Sequence, residues 1–382
     1  MSNVLITGAR APVALELARL FRAAGHTVFA ADSLPWPMCR GSNAVTASFR
    51  LPPPNRAPAA FVEALSGIIR RHGIELLIPT CEEIYFVAMG RARLSQLCAV
   101  FTPPLDVLHR LHHKFSFAQL AQQVGLPVPE TRLLTDPAQA APLLSQGIVL
   151  KPAYSRFASQ AVILPRHPAD IPRGISPARP WVAQRFVAGR QFCTYSIAHS
   201  GRVVAHSGYA TTLTAGQGAS IVFRQESHPA ALAWVERLVA ALEFSGQIAF
   251  DFIEPPAGEL LAIECNPRTI SGIHLFWAMP QVAQAFLQPP ATLLSPPPGE
   301  TVRITTALLL MAPRHLRPAT RRAAWRQAIT AGRDAVYRRD DPLPGLVSQW
   351  LTFGTMLARS LRHRVSLTAA TTLDIEWNGE KA

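Results

Sequence analysis

The sequence predicts a mixed fold, α/β in its first part and α+β thereafter, and three observations predict it. Residues 1–105 alternate short apolar runs with amphipathic helical stretches, the pattern of a doubly wound parallel sheet. The centre of the chain reads as antiparallel hairpins, with turns about Ser200 and Gly201 and from Glu254 to Glu259. Beyond the proline-rich stretch QPPATLLSPPPGE the periodicity becomes helical.

Taken in order, NVLITGARAPVALELARLFRAAGHTVFAADS gives a strand, a tight turn, an amphipathic helix stopped by Gly25 and a second strand. A dinucleotide site there would need a G-x-G-x-x-G turn. Gly8 is followed instead by Ala9, Arg10, Ala11 and Pro12, so Asp32 alone remains of that pattern and an oxidoreductase is disfavoured. ELLIPTCEEIYFVA is a third strand running into a helix, with Thr80 and Glu83 spaced as a capping box. Glu82 and Glu83 also lie beyond a strand's carboxyl end, where open α/β sheets place ligands. Leu108, Leu111, Phe115 and Ala118 keep the spacing of one helix, closed by GLPVPET, with His112 and His113 near its start. GIVLKP is a short strand with Lys151 at its end, and AYSRFASQAVIL loops back to another. WVAQRFVAGRQFCTYSIAHSGRVVAHSGY gives a strand, a turn at Gly189 and a hairpin, and PAALAWVERLVAALEF is a helix leading into the next hairpin.

That hairpin, GQIAFDFIEPPAGELLAIECN, carries the most chemistry. In the simplest register Asp251 stands opposite Ala262, which puts it on the face of Glu264 and Asn266 with Glu264 as its diagonal neighbour. Two acids and an amide set among Phe250, Phe252 and Ile263 repel one another unless a cation sits between them. Oxygen donors without histidine or thiolate favour Mg²⁺ or Mn²⁺, and Mg²⁺ commonly joins one or two carboxylates to substrate phosphates. Cys265 should face the core.

Composition narrows the classes. The chain of 382 residues is 49% hydrophobic and carries a formal charge of +13. It has no apolar run long enough to span a membrane, and MSNVLITGARAP reads as strand and turn, so a cytoplasmic protein is expected. Cys39, Cys81, Cys98, Cys193 and Cys265 lack C-x-x-C spacing, which implies reduced thiols and no zinc site. Of 37 basic residues only Lys114, Lys151 and Lys381 are lysines. A compact ammonium on a flexible stem suits contact with phosphates. Between Arg314 and Arg339 lie eight arginines against Asp334. A solvated helical face explains them better than nucleic acid does, since neither interleaved aromatics nor a recognisable nucleic-acid module accompanies them.

These elements in this order resemble the ATP-grasp superfamily, in layout nearest its carbamoyl-phosphate synthase large-subunit-like, carboxylate–amine ligase branch. The resemblance runs from about Leu108 to Leu275 and is most specific at AFDF and AIECNPR. It implies a Rossmann-like pre-ATP-grasp domain at 1–105, ATP-grasp subdomains at 106–185 and 186–290, and a mainly helical segment at 291–382. It further implies that Asp251, Glu264 and Asn266 hold Mg²⁺ against the phosphates of ATP, that Lys114 and Lys151 reach those phosphates, and that Gln184, Arg185 and Val187 form the hinge facing adenine. Gln191 takes the place of a ribose-binding Glu. The family's glycine-rich flap is replaced by Tyr154 to Gln160, a run without glycine, where Arg156 or Ser159 would contact phosphate through side chains. Arg268 matches an arginine beside the reacting carbonyl; the other reading is that it neutralises the acid cluster.

The implied activity is an ADP-forming ligase that converts an unidentified carboxylate to an acyl phosphate for attack by an amine or other nucleophile. Lys151 and Arg268 are its candidate catalytic groups. The alternative is a regulatory or scaffold protein that binds nucleotide without turnover. Glu82, Arg224, Asp340 and Asp341 are candidate substrate contacts; His274 reads as structural. A homo-oligomer is left open.

Overall fold

In a computed structural model, residues 1–155, 160–215, 219–256, 258–315 and 319–379 are described. The first part is built from β1 (Asn3–Thr7), α1 (Pro12–Ala23), β2 (Thr27–Asp32), β3 (Ala47–Arg50), α2 (Pro58–His72), β4 (Leu76–Ile78), α3 (Ile84–Met89), α4 (Arg91–Leu94) and β5 (Ala99–Val100). Its sheet is wholly parallel in the order β3-β2-β1-β4-β5. The order reverses between β1 and β4, so a crevice opens beyond their carboxyl ends. Gly8 turns the chain there at φ 72°, and a Cβ on it would lie 2.5 Å from Thr80 Oγ1.

The expected capping box at Thr80 and Glu83 is half formed. Glu83 accepts from the backbone N–H of Thr80 at 3.0 Å, but the Thr80 hydroxyl donates to the Thr7 carbonyl at 2.7 Å. Glu83 thus ties β1 to β4, accepting the Thr7 hydroxyl at 2.8 Å as well.

Two helices follow where one was expected, α5 (Leu105–His112) and α6 (Lys114–Gln123). His113 interrupts the helix with ψ 108° and caps the second segment by accepting from the Ser116 N–H. The break turns the buried face of α6 onto Lys114, Phe117, Ala118 and Ala121, leaving Phe115 only partly covered. Lys114 thereby becomes the first residue of a helix aimed at the cleft.

β6 (Thr131–Leu134), β7 (Ile148–Pro152), β8 (Val162–Ile163) and β9 (Trp181–Arg185) form an antiparallel sheet in the order β6-β9-β7-β8. A second antiparallel sheet contains β10 (Arg190–His199) and β11 (Arg202–Ala210). Between its two hairpins come β12 (Thr214–Ala215), β13 (Ala219–Ser220), β14 (Val222–Arg224) and α7 (Pro229–Ala241). β15 (Gly246–Glu254) and β16 (Leu261–Asn266) complete it in the order β11-β10-β15-β16. Helices α6 and α7 cover one face through Phe117, Trp234, Phe250 and Phe252, and Cys265 is buried in that core as expected.

The register of the second hairpin corrects the expected one. Asp251 pairs with Glu264, Phe252 with Ala262, and a bulge lies between them. The extra residue moves Glu264 from a diagonal to a facing position and keeps the three donors on one side of the sheet.

The remaining elements are α8 (Gln284–Leu287), β17 (Thr301–Arg303), α9 (Thr305–His315), α10 (Ala319–Thr330), β18 (Arg333–Asp334), α11 (Gln349–His363) and α12 (Leu367–Ala370). β17 joins β14 and β18 in a small sheet. The C-terminal stretch also returns to the first sheet: Trp377, 1% exposed, stacks on His109 at 3.9 Å and on Tyr85 at 5.0 Å. A single apolar core runs from β1 and α1 through Tyr195, Tyr209 and Phe223 to Phe276 and Phe286. It holds the crevice of the parallel sheet against the end of β16. No helix among the described residues is long and apolar enough to cross a membrane.

The arginine-rich stretch is not simply a solvated face. Arg322 and Arg326 are exposed, but Arg333 and Arg338 turn inward to Glu16, which also accepts from His274 Nδ1 at 3.1 Å. Burial alone would raise the Glu16 pKa; the His274 hydrogen bond together with Arg338 and Arg333 outweighs it, and the carboxyl is lowered to about 2. Arg333 also sits 4.3 Å over the Trp277 ring. Asp341 likewise leaves the candidate substrate contacts: it is buried and pairs with Arg19 at 2.8 Å and the Ser42 hydroxyl at 2.6 Å. The backbone carbonyl of Asp340 accepts from Asn43.

Candidate active site

A cleft of about 900 Å³ lies between the two antiparallel sheets and continues to the crevice of the parallel one. Lys151, Gln184, Arg185, Val187, Gln191, Asp251, Glu264, Asn266 and Arg268 all line it. Ser159 and Arg156 fall outside the described residues. Arg224 is exposed on β14 and is not among the residues lining the cleft.

Lys114 is 1% exposed, and its Nζ lies 3.4 Å from Glu264 Oε2 and 3.3 Å from the Ser155 carbonyl. The Lys151 Nζ donates to Gln184 Oε1 at 3.0 Å and to the Ile263 carbonyl at 3.1 Å. Gln184 is thus a positioning residue for this lysine, its own amide nitrogen anchored on the Thr131 hydroxyl at 3.0 Å. Burial lowers the Lys151 pKa and Lys114 lowers it further; Glu264 and Asp251 pull it partly back, leaving it at about 8. Two ammonium groups and two carboxylates therefore meet in one largely dry place.

The acid pair carries the complementary strain. Asp251 is raised to about 6, first by burial and then by Glu264 facing it. Its oxygens accept from Cys193 Sγ at 2.9 Å and from Asn266 Nδ2 at 3.4 Å. Cys193 was not singled out by its spacing in the chain; its place becomes legible only once β10 is registered against β15, where it pairs with Asp251. Burial raises the Cys193 thiol well above its ordinary range, so it serves as a neutral donor.

These donors fit a hard divalent cation. A cation would relieve the repulsion that raises Asp251, and Asp251 and Glu264 offer carboxylate oxygens from facing positions. The Asn266 Oδ1 accepts from Arg268 Nη2 at 3.3 Å, so the amide would share its oxygen. Among the described residues there is no cluster of three or more His, Cys, Asp or Glu that could hold a metal ion.

Arg268 lies beyond the strand end, where its N–H donates to the Asn266 carbonyl at 2.8 Å. Its Nε donates to Glu82 Oε1 at 2.8 Å, joining the end of β16 to the end of β4. Burial lowers the Arg268 pKa, but Glu82 and its neighbours outweigh this and raise it overall. Glu82, 1% exposed, therefore orients Arg268 and does not itself line the cleft. His274, fully buried against Glu16, has a packing role, as expected.

The hinge between the sheets is tight. A Cβ on Gly189 would lie 2.3 Å from the Glu254 carbonyl oxygen, so only glycine lets β9 pass into β10 here. Arg185 and Phe186 spend their N–H groups on the carbonyls of Glu130 and Gly147. Val187, Ala188 and Gln191 continue the wall, with Val149, Ile163, Ile253 and Ile263 supplying an apolar slot.

No protein-family model matches the sequence, and no curated protein matches it. Solved structures do resemble the fold. The N5-carboxyaminoimidazole synthetase of Staphylococcus aureus, crystallised with ADP, is similar with a TM-score of 0.65 at 12% identity, covering 82% of this chain and 85% of its own. The carboxyaminoimidazole ribonucleotide synthase of Aspergillus clavatus, complexed with ATP, gives 0.63 at 14% identity over 83% and 86% of the two chains. The L-amino acid ligase of Bacillus licheniformis gives 0.59 at 16% identity over 72% and 70%. At these identities the likeness is one of fold, and the chain shares the fold of these ligase and synthetase structures.

Proposed function

We propose that the chain is an ADP-forming ligase that uses ATP with Mg²⁺ to activate a carboxylate for attack by an amine, as in the carboxylate–amine branch of the fold. The observation that carries this reading is the meeting of Lys151, Asp251 and Glu264 in one cleft, with the buried Lys114, itself not among the residues lining it, 3.4 Å from Glu264. The structurally similar proteins are ligases or synthetases, two of them crystallised with ADP or ATP, which supports the same reading and disfavours a scaffold.

In this account the slot between Val149, Ile163, Ile253 and Ile263 takes adenine, with Arg185 and Val187 at the hinge and Gln191 toward the ribose. Lys114 and Lys151 offset the charge of the phosphates. Asp251, Glu264 and Asn266 would hold Mg²⁺, which supplies charge neutralisation at the transferring phosphoryl group. A carboxylate oxygen bonds to the γ-phosphorus as the bond to the bridging oxygen breaks and ADP leaves. An amine nitrogen then bonds to the acyl carbon, phosphate leaves and the nitrogen gives up a proton. Arg268 steadies the carboxyl group, and Glu82 holds Arg268 in place. Positioning and charge suffice for phosphoryl transfer, so a protein nucleophile is not required.

Hydroxylamine tests the sequence of steps without knowledge of the natural amine, because it converts an acyl phosphate to a hydroxamate. ADP release that depends on an added carboxylate and appears with equimolar hydroxamate is the expected result. ADP release indifferent to every carboxylate, with no hydroxamate, would contradict it.

The Lys151 pKa gives a pH signature. With its folded pKa at about 8, the ammonium is present below that pH and lost above it. Affinity for ATP should therefore fall as pH rises through 8, by up to about tenfold per unit. Lys151→Arg should flatten that limb, since guanidinium keeps its charge. Equal profiles for the two proteins would remove Lys151 from the phosphate site.

A further inference from the structure

The cleft extends past Arg268 to a second end that the nucleotide reading leaves unexplained. There the wall is built by Met38 at the crevice, Ile270 after Arg268, Leu310 on α9, and Trp350, Phe353 and Met356 on α11. Several polar side chains along this wall are engaged within the protein. Thr306 donates to Gln349 at 3.1 Å and Thr352 to the Trp36 carbonyl at 3.2 Å. Thr371 donates to the Thr368 carbonyl at 2.6 Å, and Arg10 is held by Asp32 and Asp374. What this end offers a ligand is therefore mainly apolar surface, with the Ser271 hydroxyl beside Ile270.

Charge selects further. The acids lining the cleft are Asp251 and Glu264, both at the metal end. An ammonium placed against α11 would have no carboxylate to meet it, and burying it unpaired is costly. A carboxylate has a partner at the boundary between the two ends. Arg268 uses Nε, Nη1 and Nη2 once each, toward Glu82, Thr269 and Asn266. A guanidinium has five N–H groups, so two remain without a partner among the described residues.

We propose that the carboxylate substrate is a monocarboxylate with a bulky apolar body, its carboxylate on Arg268 and its body against Phe353, Met356 and Ile270. This deepens the ligase reading and rests on it for the carboxylate's fate, but not for its binding. α11 is held in place by the Arg359–Asp374 pair at 2.7 Å, which connects through Asp374 to Arg10 at the end of β1. The apolar wall is therefore part of the fold's frame and is set beside the reacting end.

Calorimetric titration distinguishes the two claims. 4-Phenylbutyrate, glutarate and 4-phenylbutylamine are titrated into the full chain, with and without Mg²⁺ and a non-hydrolysable ATP analogue. Phenylbutyrate should bind at least about tenfold more tightly than either comparator. Phe353→Ala should weaken phenylbutyrate by about tenfold and leave glutarate unchanged. Leu310→Asp, at a side chain 51% exposed, gives a second variant whose folding is not at stake, with the same expected weakening. Equal or tighter binding of glutarate or the amine, or no effect of either variant, overturns the proposal. Phenylbutyrate binding with no binding of the ATP analogue would instead retain the apolar site and defeat the ligase reading.

Discussion

Glu264→Gln should give a folded protein that has lost its Mg²⁺-dependent reaction. Glu264 faces Asp251 across the hairpin and lies 3.4 Å from the buried Lys114. Glutamine keeps the shape and an acceptor for Lys114 but removes one of the two carboxylates proposed to hold the cation. The expected loss in Mg²⁺-dependent ADP formation is at least about a hundredfold, equivalent to about 2.7 kcal/mol of barrier. Stability moves little because two effects oppose: the repulsion that helps raise Asp251 disappears, while Lys114 loses its ion pair. A midpoint within a few degrees of wild type, together with the lost reaction, is the expected combination. Undiminished ADP formation would show that the hairpin acids do not serve the nucleotide.

The second large effect concerns stability. Arg10 bridges Asp32 at 2.7 Å and Asp374 at 2.6 Å, and the three side chains are no more than 8% exposed. Burial lowers the Arg10 pKa, but the two carboxylates outweigh this and raise it. Asp374 is correspondingly depressed well below the ordinary carboxylate range, where burial is opposed chiefly by Arg10 and also by Arg359. Removing the guanidinium leaves two buried carboxylates, with Asp374 still paired to Arg359 and Asp32 retaining only N–H donors such as Leu34. Arg10→Ala should cost about 3–5 kcal/mol in denaturant unfolding. Arg10→Lys should recover little, because a point charge cannot serve both carboxylates as a fork does. A cost below about 1 kcal/mol would mean the network is not a joint between the parallel sheet and the C-terminal helices.

That network marks a boundary of what the sequence makes legible. Strand alternation around Asp251, Glu264 and Asn266 put three donors on one face, and the scarcity of lysine singled out Lys114 and Lys151, because both are local or compositional signals. The bulge between Asp251 and Phe252 was not legible, since the loop gives no residue that demands it, and the simplest register therefore placed Ala262 where Glu264 stands. The break at His113 was hidden for a related reason: apolar spacing continues across it, and only the cap on Ser116 shows that a new helix begins.

Long-range pairings were out of reach altogether. Nothing near Asp32 in the chain announces Asp374, nor does Glu16 announce Arg333 and Arg338, and so the sequence offers Asp341 as a candidate substrate contact and the arginine stretch as a solvated helical face. Gln184 shows the intermediate case. Its strand was identified, but its amide is directed at Lys151, a partner 33 residues away that only the sheet brings alongside.

The central claim is that Asp251, Glu264, Lys114 and Lys151 form a site for Mg²⁺ and ATP. The most direct measurement is the thermal unfolding midpoint of the wild-type chain with ATP alone, Mg²⁺ alone and both together. A ligand that binds only the native state stabilises it by about 2.7 kcal/mol at a hundredfold excess over Kd. A rise of several degrees that requires both components is expected. No rise with the pair, or the same rise with ATP in the absence of Mg²⁺, would contradict it.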